Sequence, residues 1–113
     1  MIRIGFVPAP SPRIYIAEPP QLLSGEFLRI PVTQKHIDAA YGPYPQHCPI
    51  ALAIPFRCFV FTISIRLNLE DKQPAWNYSP DLHWAVSMYN AAGVMSPFTL
   101  VLTGDNQAYR EIP

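Results

Sequence analysis

The sequence predicts a single α+β domain over residues 1–113. Its sheet is expected to be mostly antiparallel, with about four to six strands and two or three helices packed on one face. Half of the residues are apolar and 14% are charged, so the chain can bury a core and lacks the composition of a disordered segment. Alternating apolar residues indicate the strands, and cap residues followed by proline mark the helix starts.

Three strands are predicted in the first third of the chain. Apolar residues alternate with others at 2–6 and again at 14–16, and a proline-rich turn separates the two runs. Residues 27–32 alternate in the same way. There Pro31 indicates the edge of a sheet, since proline has no backbone N–H to donate to a neighbouring strand.

The longest alternation in the sequence lies at residues 58–69 and predicts the central strand of the sheet. Phe61, Ile63 and Ile65 are expected to lie on its buried face, against the helices. A last strand is predicted from Phe98 to Gly104, and the tail beyond it is expected to lack regular structure.

Each of three predicted helices has a local start signal. Thr33 can cap a short first helix, and proline at the first helical position begins a second helix at Pro49. The third has the strongest signals, with Ser79 as the cap, Pro80 at the first position and Gly93 as the stop. Its core-facing residues are expected to be Leu82, Ala85, Val86 and Tyr89, with Trp84 and Met88 broadening the buried stripe.

The balance of charge argues against nucleic acid as a partner. Eight basic residues match eight acidic ones, and the basic residues are scattered along the chain. There is therefore no basic patch that could hold a phosphate backbone. No apolar run is long enough to cross a membrane and the start lacks a secretory leader, so we expect no membrane partner and a cytoplasmic location.

One local arrangement invites a catalytic interpretation. Cys48 stands at the predicted start of a helix and follows His47, a setting that can lower the pKa of a thiol. Sequence neighbours rarely form a working nucleophile and base, however, so a packed side chain is the preferred interpretation. The histidines and cysteines do not show the close paired spacing of metal sites. We therefore expect no catalytic residue, no metal and no cofactor.

Four aromatic residues form the candidate binding site. Tyr41, Tyr44, Trp76 and Tyr78 lie in predicted loops bracketed by proline and glycine. Aromatic side chains on stiff loops suit protein recognition, because tyrosine and tryptophan are enriched among interface hot spots. The other interpretation is that these rings cover the core of a small domain.

Three segments together resemble a group of small, mostly uncharacterised proteins of tailed bacteriophages and prophages. Residues 30–38 contain Val-Thr-Gln-Lys-His-Ile-Asp, residues 48–53 read Cys-Pro-Ile-Ala-Leu-Ala, and residues 97–102 read Pro-Phe-Thr-Leu-Val-Leu. Under half of the chain is covered. The predicted helix ends sooner than in that group, at Pro55, and residues 1–25 look like an addition. The resemblance implies origin and fold rather than a chemical activity.

The leading hypothesis is a small phage-type accessory protein that acts by stoichiometric binding to a host protein in the bacterial cytoplasm. An inhibitor of bacterial immunity, such as an anti-CRISPR, is one example. A second hypothesis is a virion or assembly component, with a homodimer formed through an edge strand. A third is a thiol-dependent enzyme that uses Cys48.

Overall fold

The computed structural model describes residues 17–40, 42 and 44–112, and these form an α+β fold of six strands and three helices. The predicted fold class is confirmed. The strands that we predicted at 2–6 and 14–16 lie outside the described residues. The elements in chain order are β1 (Phe27–Val32), α1 (Gln34–Ala39), α2 (Pro49–Ala53), β2 (Phe59–Val60), β3 (Ser64–Arg66), β4 (Trp76–Tyr78), α3 (Pro80–Ala92), β5 (Phe98–Thr103) and β6 (Gln107–Glu111).

The described strands form one sheet in the order β1-β5-β6-β4-β3-β2. Neighbouring strands are antiparallel, except that β4 runs parallel to β6. Within this part of the chain, β6 and β4 lie in the middle of the sheet while β1 and β2 form its edges. The edge position predicted from Pro31 is therefore confirmed.

The helix α3 begins and ends where its local signals predict. The Ser79 hydroxyl accepts a hydrogen bond from the Leu82 N–H at 3.2 Å, and Pro80 occupies the first helical position. Gly93 closes the helix with a φ of 70°, a left-handed conformation that suits glycine. The predicted stripe of Leu82, Ala85, Val86 and Tyr89 is buried.

The two short helices also start at the predicted residues. Thr33 precedes α1, and its N–H donates to Nδ1 of His36 at 3.0 Å. In α2, Pro49 is the first residue, and Cys48 is the cap whose sulfur accepts a hydrogen bond from the Ala51 N–H at 3.5 Å. The first turn of α2 is buried in the same apolar cluster as the inner residues of β1 and β5.

Residues 58–69 do not form the long central strand that the alternation predicted. The chain instead reverses between β2 and β3, where the Phe61 N–H donates to the Ser64 carbonyl at 2.8 Å. Val60 pairs with Ile65, and both are buried. Ile63 lies at the turn with 64% of its surface exposed, so its predicted place in the core is wrong.

The tail that was expected to lack regular structure forms β6, and the chain before α3 forms β4. Both strands are tied to the turn that joins β5 to β6. Asn106, at a φ of 62°, accepts a hydrogen bond from the Asn77 N–H through its carbonyl at 2.8 Å. Its side-chain amide donates to the Ala75 carbonyl at 3.0 Å. This turn therefore holds β4 beside β6.

The described end of the predicted N-terminal extension packs against the same turn. Leu22 lies against the core, and the Ser24 hydroxyl donates to the Asp105 carboxylate at 2.7 Å. The Gly104 N–H donates to the Glu26 carbonyl at 3.0 Å. The backbones are so close that a Cβ placed on Gly104 would lie 1.8 Å from the Leu23 carbonyl oxygen.

We therefore expect Gly104→Ala to lower the free energy of unfolding by about 1–3 kcal/mol, because the added methyl group meets backbone that cannot rotate away. Chemical denaturation measures the change. Hydrogen exchange should also show faster exchange at the Leu23 and Glu26 amides, since the segment must move. Gly93→Ala is the matched control, because it carries a backbone penalty of about 1 kcal/mol without touching this segment. Unchanged stability and exchange in Gly104→Ala would contradict the packing described.

Candidate functional site

Of the four aromatic residues that were predicted as a binding site, the three that the structure describes lie in different settings. Tyr41 lies outside the described residues. Tyr44 is in a loop, as predicted, with 60% of its surface exposed. Trp76 and Tyr78 lie in β4, so their predicted placement in loops is wrong.

Trp76 belongs to the core. It is 4% exposed, its indole N–H donates to the Thr103 carbonyl at 3.1 Å, and its ring centroid lies 5.9 Å from that of Phe56. For this residue the core-covering interpretation is correct. A partner could reach its ring only if the sheet opened.

Tyr78 also acts within the fold. Its hydroxyl donates to the Phe61 carbonyl at 2.6 Å and so fastens β4 to the turn between β2 and β3. Burial raises the pKa of Tyr78 well above its ordinary value, because the phenolate would lose its hydration. Of the three predicted binding residues that the structure describes, Tyr44 is thus the one that is exposed in a loop.

An exposed apolar surface lies instead on α3 and the residues after it. Trp84 is 59% exposed, Val94 is 60% exposed, and Met88 is 36% exposed. We call these three residues the α3 patch. The prediction that Trp84 and Met88 broaden the buried stripe is wrong. The apolar face of α3 is wider than the face that packs against the sheet, so these two side chains are left exposed.

A cavity of about 110 Å³ adjoins the α3 patch. The patch residues form part of its wall, and the rest is formed by Ala85, Met95, Ser96 and Arg110. This surface is therefore concave and mostly apolar, with the Arg110 side chain along it.

Arg110 is held firmly at this cavity. Its guanidinium donates to both carboxylate oxygens of Asp81, at 2.6 and 3.0 Å, and its side chain is 13% exposed. Those hydrogen bonds lower the pKa of the exposed Asp81 carboxyl. The guanidinium carbon also lies 5.7 Å from the centre of the Trp84 ring, a cation–π distance. An ion pair that spans α3 and β6 therefore supports the exposed tryptophan.

A second cavity, of about 70 Å³, lies beside Cys48. Pro45, the neighbour of Tyr44, is in its wall, and Met95 lines this cavity and the one at the α3 patch. Cys48 is 7% exposed, and burial raises the pKa of its thiol. A cysteine nucleophile needs the opposite shift, toward the thiolate.

Neither a metal cluster nor a membrane span is found in the described part of the chain. At residues 17–40, 42 and 44–112, no three His, Cys, Asp or Glu side chains are grouped so that they could hold an ion. None of the helices formed by these residues combines the length and the hydrophobicity that a bilayer requires.

Comparison with protein-family models, with curated proteins and with solved structures finds no match to this chain. The resemblance to phage proteins therefore stays a prediction.

Proposed function

We propose that the protein acts by stoichiometric binding to a host protein, through the α3 patch together with Tyr44. The observation that carries this proposal is the exposed Trp84 ring, supported by Arg110 and bordered by a cavity. Tryptophan, tyrosine and arginine are the residues most enriched among interface hot spots. A large exposed tryptophan on a helix has no role in covering this core.

The geometry suits binding because the surface is partly preorganised. Trp84 is on a regular helix, and the Asp81–Arg110 ion pair restrains the guanidinium that lies over its ring. Restraint in the free protein reduces the entropy lost on association. The adjoining cavity can receive an apolar side chain of the partner, while the ion pair supplies a polar rim.

The resemblance to phage proteins supports a setting in the bacterial host cytoplasm. A small accessory protein that occludes a host factor needs a stable scaffold and a distinctive surface rather than catalytic groups. Inhibition of bacterial immunity, as by an anti-CRISPR, is the kind of role we propose. The thiol-dependent alternative has less support, since Cys48 is buried and caps α2.

The second candidate function is a virion or assembly component that pairs with itself through an edge strand. The observation in its favour is the position of β1 at one edge of the described sheet. Such a component would bind copies of itself or other particle proteins. Capture of host proteins from a lysate distinguishes the two candidates.

We expect Trp84→Ala to weaken binding of the captured host protein by more than about 1 kcal/mol, because the ring is a contact and not part of the core. Affinity capture from bacterial lysate with mass spectrometry identifies the partner, and titration with the purified partner measures the affinity. Binding should depend only modestly on salt, since Arg110 is already paired with Asp81.

Leu69→Ala is the matched control for this experiment. Leu69 is 60% exposed, the same as Trp84 within a per cent, and does not line the cavity at the α3 patch. A partner that binds Trp84→Ala and Tyr44→Ala as tightly as it binds the wild type would contradict the proposed surface. Circular dichroism of each variant checks that the fold is retained.

A further inference from the structure

The strand β1 has an outward hydrogen-bonding edge whose composition the register fixes. Phe27 lies opposite Thr103 of β5, and the next residue, Gly104, donates to the Glu26 carbonyl. Glu26 and Gly104 are therefore a hydrogen-bonded pair, and the next pair along, Phe27 and Thr103, is a non-hydrogen-bonded pair. Hydrogen bonding alternates along a strand, so the N–H and carbonyl groups of Phe27, Arg29 and Pro31 point away from β5.

The outward edge therefore offers two donors. Pro31 occupies an outward position and has no N–H, which leaves the N–H groups of Phe27 and Arg29. Neither has a backbone partner among the strands that the structure describes. An unpaired edge of this kind is a template for another strand.

The side chains of these two residues lie on one face. The Arg29 guanidinium carbon lies 5.8 Å from the centre of the Phe27 ring, and Phe27 is 52% exposed. Arg29 also pairs with Glu111 at 2.9 Å, so its charge is already balanced within the subunit. A second strand brought to this edge would meet an exposed ring and a neutralised cation.

We propose that the occupant of this edge is β1 of a second copy, antiparallel, with a twofold axis at Leu28. In this register Phe27 of each copy exchanges both backbone hydrogen bonds with Arg29 of the other, so every outward donor is used. Each Arg29 also gains the Phe27 ring of the other copy as its cross-strand neighbour. The inference deepens the self-pairing proposed above and rests on it, but it does not depend on the binding of a host protein.

Competing registers leave groups unsatisfied. An axis at Arg29 would place two guanidinium groups opposite each other and would set the Phe27 carbonyl against Pro31, which cannot donate. With the axis at Leu28, Pro31 instead falls opposite Gly25. There the chain has a φ of 89° and leaves the strand, so the ladder ends after the paired residues. The pairing is thereby limited to a closed dimer rather than an open array.

The test is the mass of the protein in solution across a concentration series, from low micromolar to near millimolar, by sedimentation and light scattering. Wild-type protein should shift from monomer to dimer. Arg29→Pro should remain a monomer at every concentration. It removes an outward donor while the bonds between β1 and β5 stay intact, because the Arg29 N–H is not used there. Arg29→Ala is the matched control, which loses the same side chain but keeps the donor and should still dimerise.

A wild-type protein that stays monomeric throughout, or an Arg29→Pro variant that dimerises as Arg29→Ala does, would overturn the inference.

Cross-linking gives a second readout of the register. Leu28→Cys should form a disulfide-linked dimer in air, since residues facing each other across the axis have Cα atoms about 4.5 Å apart. Phe27→Cys should cross-link much more slowly. Trp84→Ala should dimerise over the same concentration range as the wild type, so failure of host binding and failure of self-pairing are distinguishable.

Discussion

Replacement of Trp76 by alanine is expected to lower the free energy of unfolding by about 3–5 kcal/mol. The indole ring is buried beside Phe56, and its removal would leave a large cavity between β4 and the core. It would also remove the hydrogen bond that the indole N–H donates to the Thr103 carbonyl. Urea denaturation followed by circular dichroism measures the loss.

Tyr44→Ala is the comparison that makes this result informative. Tyr44 belongs to the same predicted set but is 60% exposed, and its removal should change stability by less than about 0.5 kcal/mol. Trp76→Phe should fall between the two, because it keeps a ring in the core but leaves the Thr103 carbonyl unpaired. A stable Trp76→Ala variant would show that the ring does not belong to the core.

A second large effect is expected at Ile65. The side chain is fully buried in β3, so Ile65→Ala should lower the free energy of unfolding by about 2–5 kcal/mol. Ile63, two residues earlier, is at the turn and 64% exposed. Ile63→Ala should therefore cost less than about 0.5 kcal/mol.

The two isoleucine variants remove the same atoms from neighbouring positions, so each is the control for the other. Their midpoints in urea should differ clearly, with similar slopes. If both variants lost the same free energy of unfolding, the hairpin would be contradicted and the continuous strand predicted from the alternation would be supported.

The helices could be predicted because their boundaries depend on neighbouring residues. Ser79, Pro80 and Gly93 set the limits of α3 through a side-chain cap, a fixed φ and a left-handed stop, and none of these requires a distant contact. The edge position of β1 was predictable for the same reason, since Pro31 lacks a donor whatever lies beside it.

The turn between β2 and β3 could not be predicted from local signals. Residues 61–64 contain no glycine, asparagine or proline to mark a reversal, and the apolar alternation continues through them. The turn shifts the alternation of burial, so Val60 is buried while Ile63, which was predicted to be buried, is exposed. The strand β6 was missed because it carries polar and charged residues, including Arg110, which its pairing with β5 places under α3.

The settings of the candidate aromatic residues were predicted in part. Loop prolines beside Tyr44 indicated an exposed aromatic correctly, but Trp76 and Tyr78 are placed by the pairing of β4 with β3 and β6. Trp84 carried a usable signal, because Trp84 and Met88 extend the apolar face of α3 beyond what one side of a helix can bury. An apolar arc of that width indicates surplus hydrophobic surface, and such a surplus is where a partner should be sought.

The strand order has a consequence for the chain while a ribosome is still making it. The strands β5 and β6, which connect β1 to β4 in the sheet, come after all the other described elements in the sequence. Phe27 must therefore wait until Thr103 has emerged, and for seconds at ordinary rates of synthesis β1 lacks β5, its partner among the described strands. Strands β2, β3 and β4 meanwhile have no hydrogen-bonded connection to β1, because β5 and β6 lie between them in the sheet. The last two strands thus join two separate parts of the sheet, and until they are made the outer strand β1 is open to chaperones and to neighbouring nascent chains.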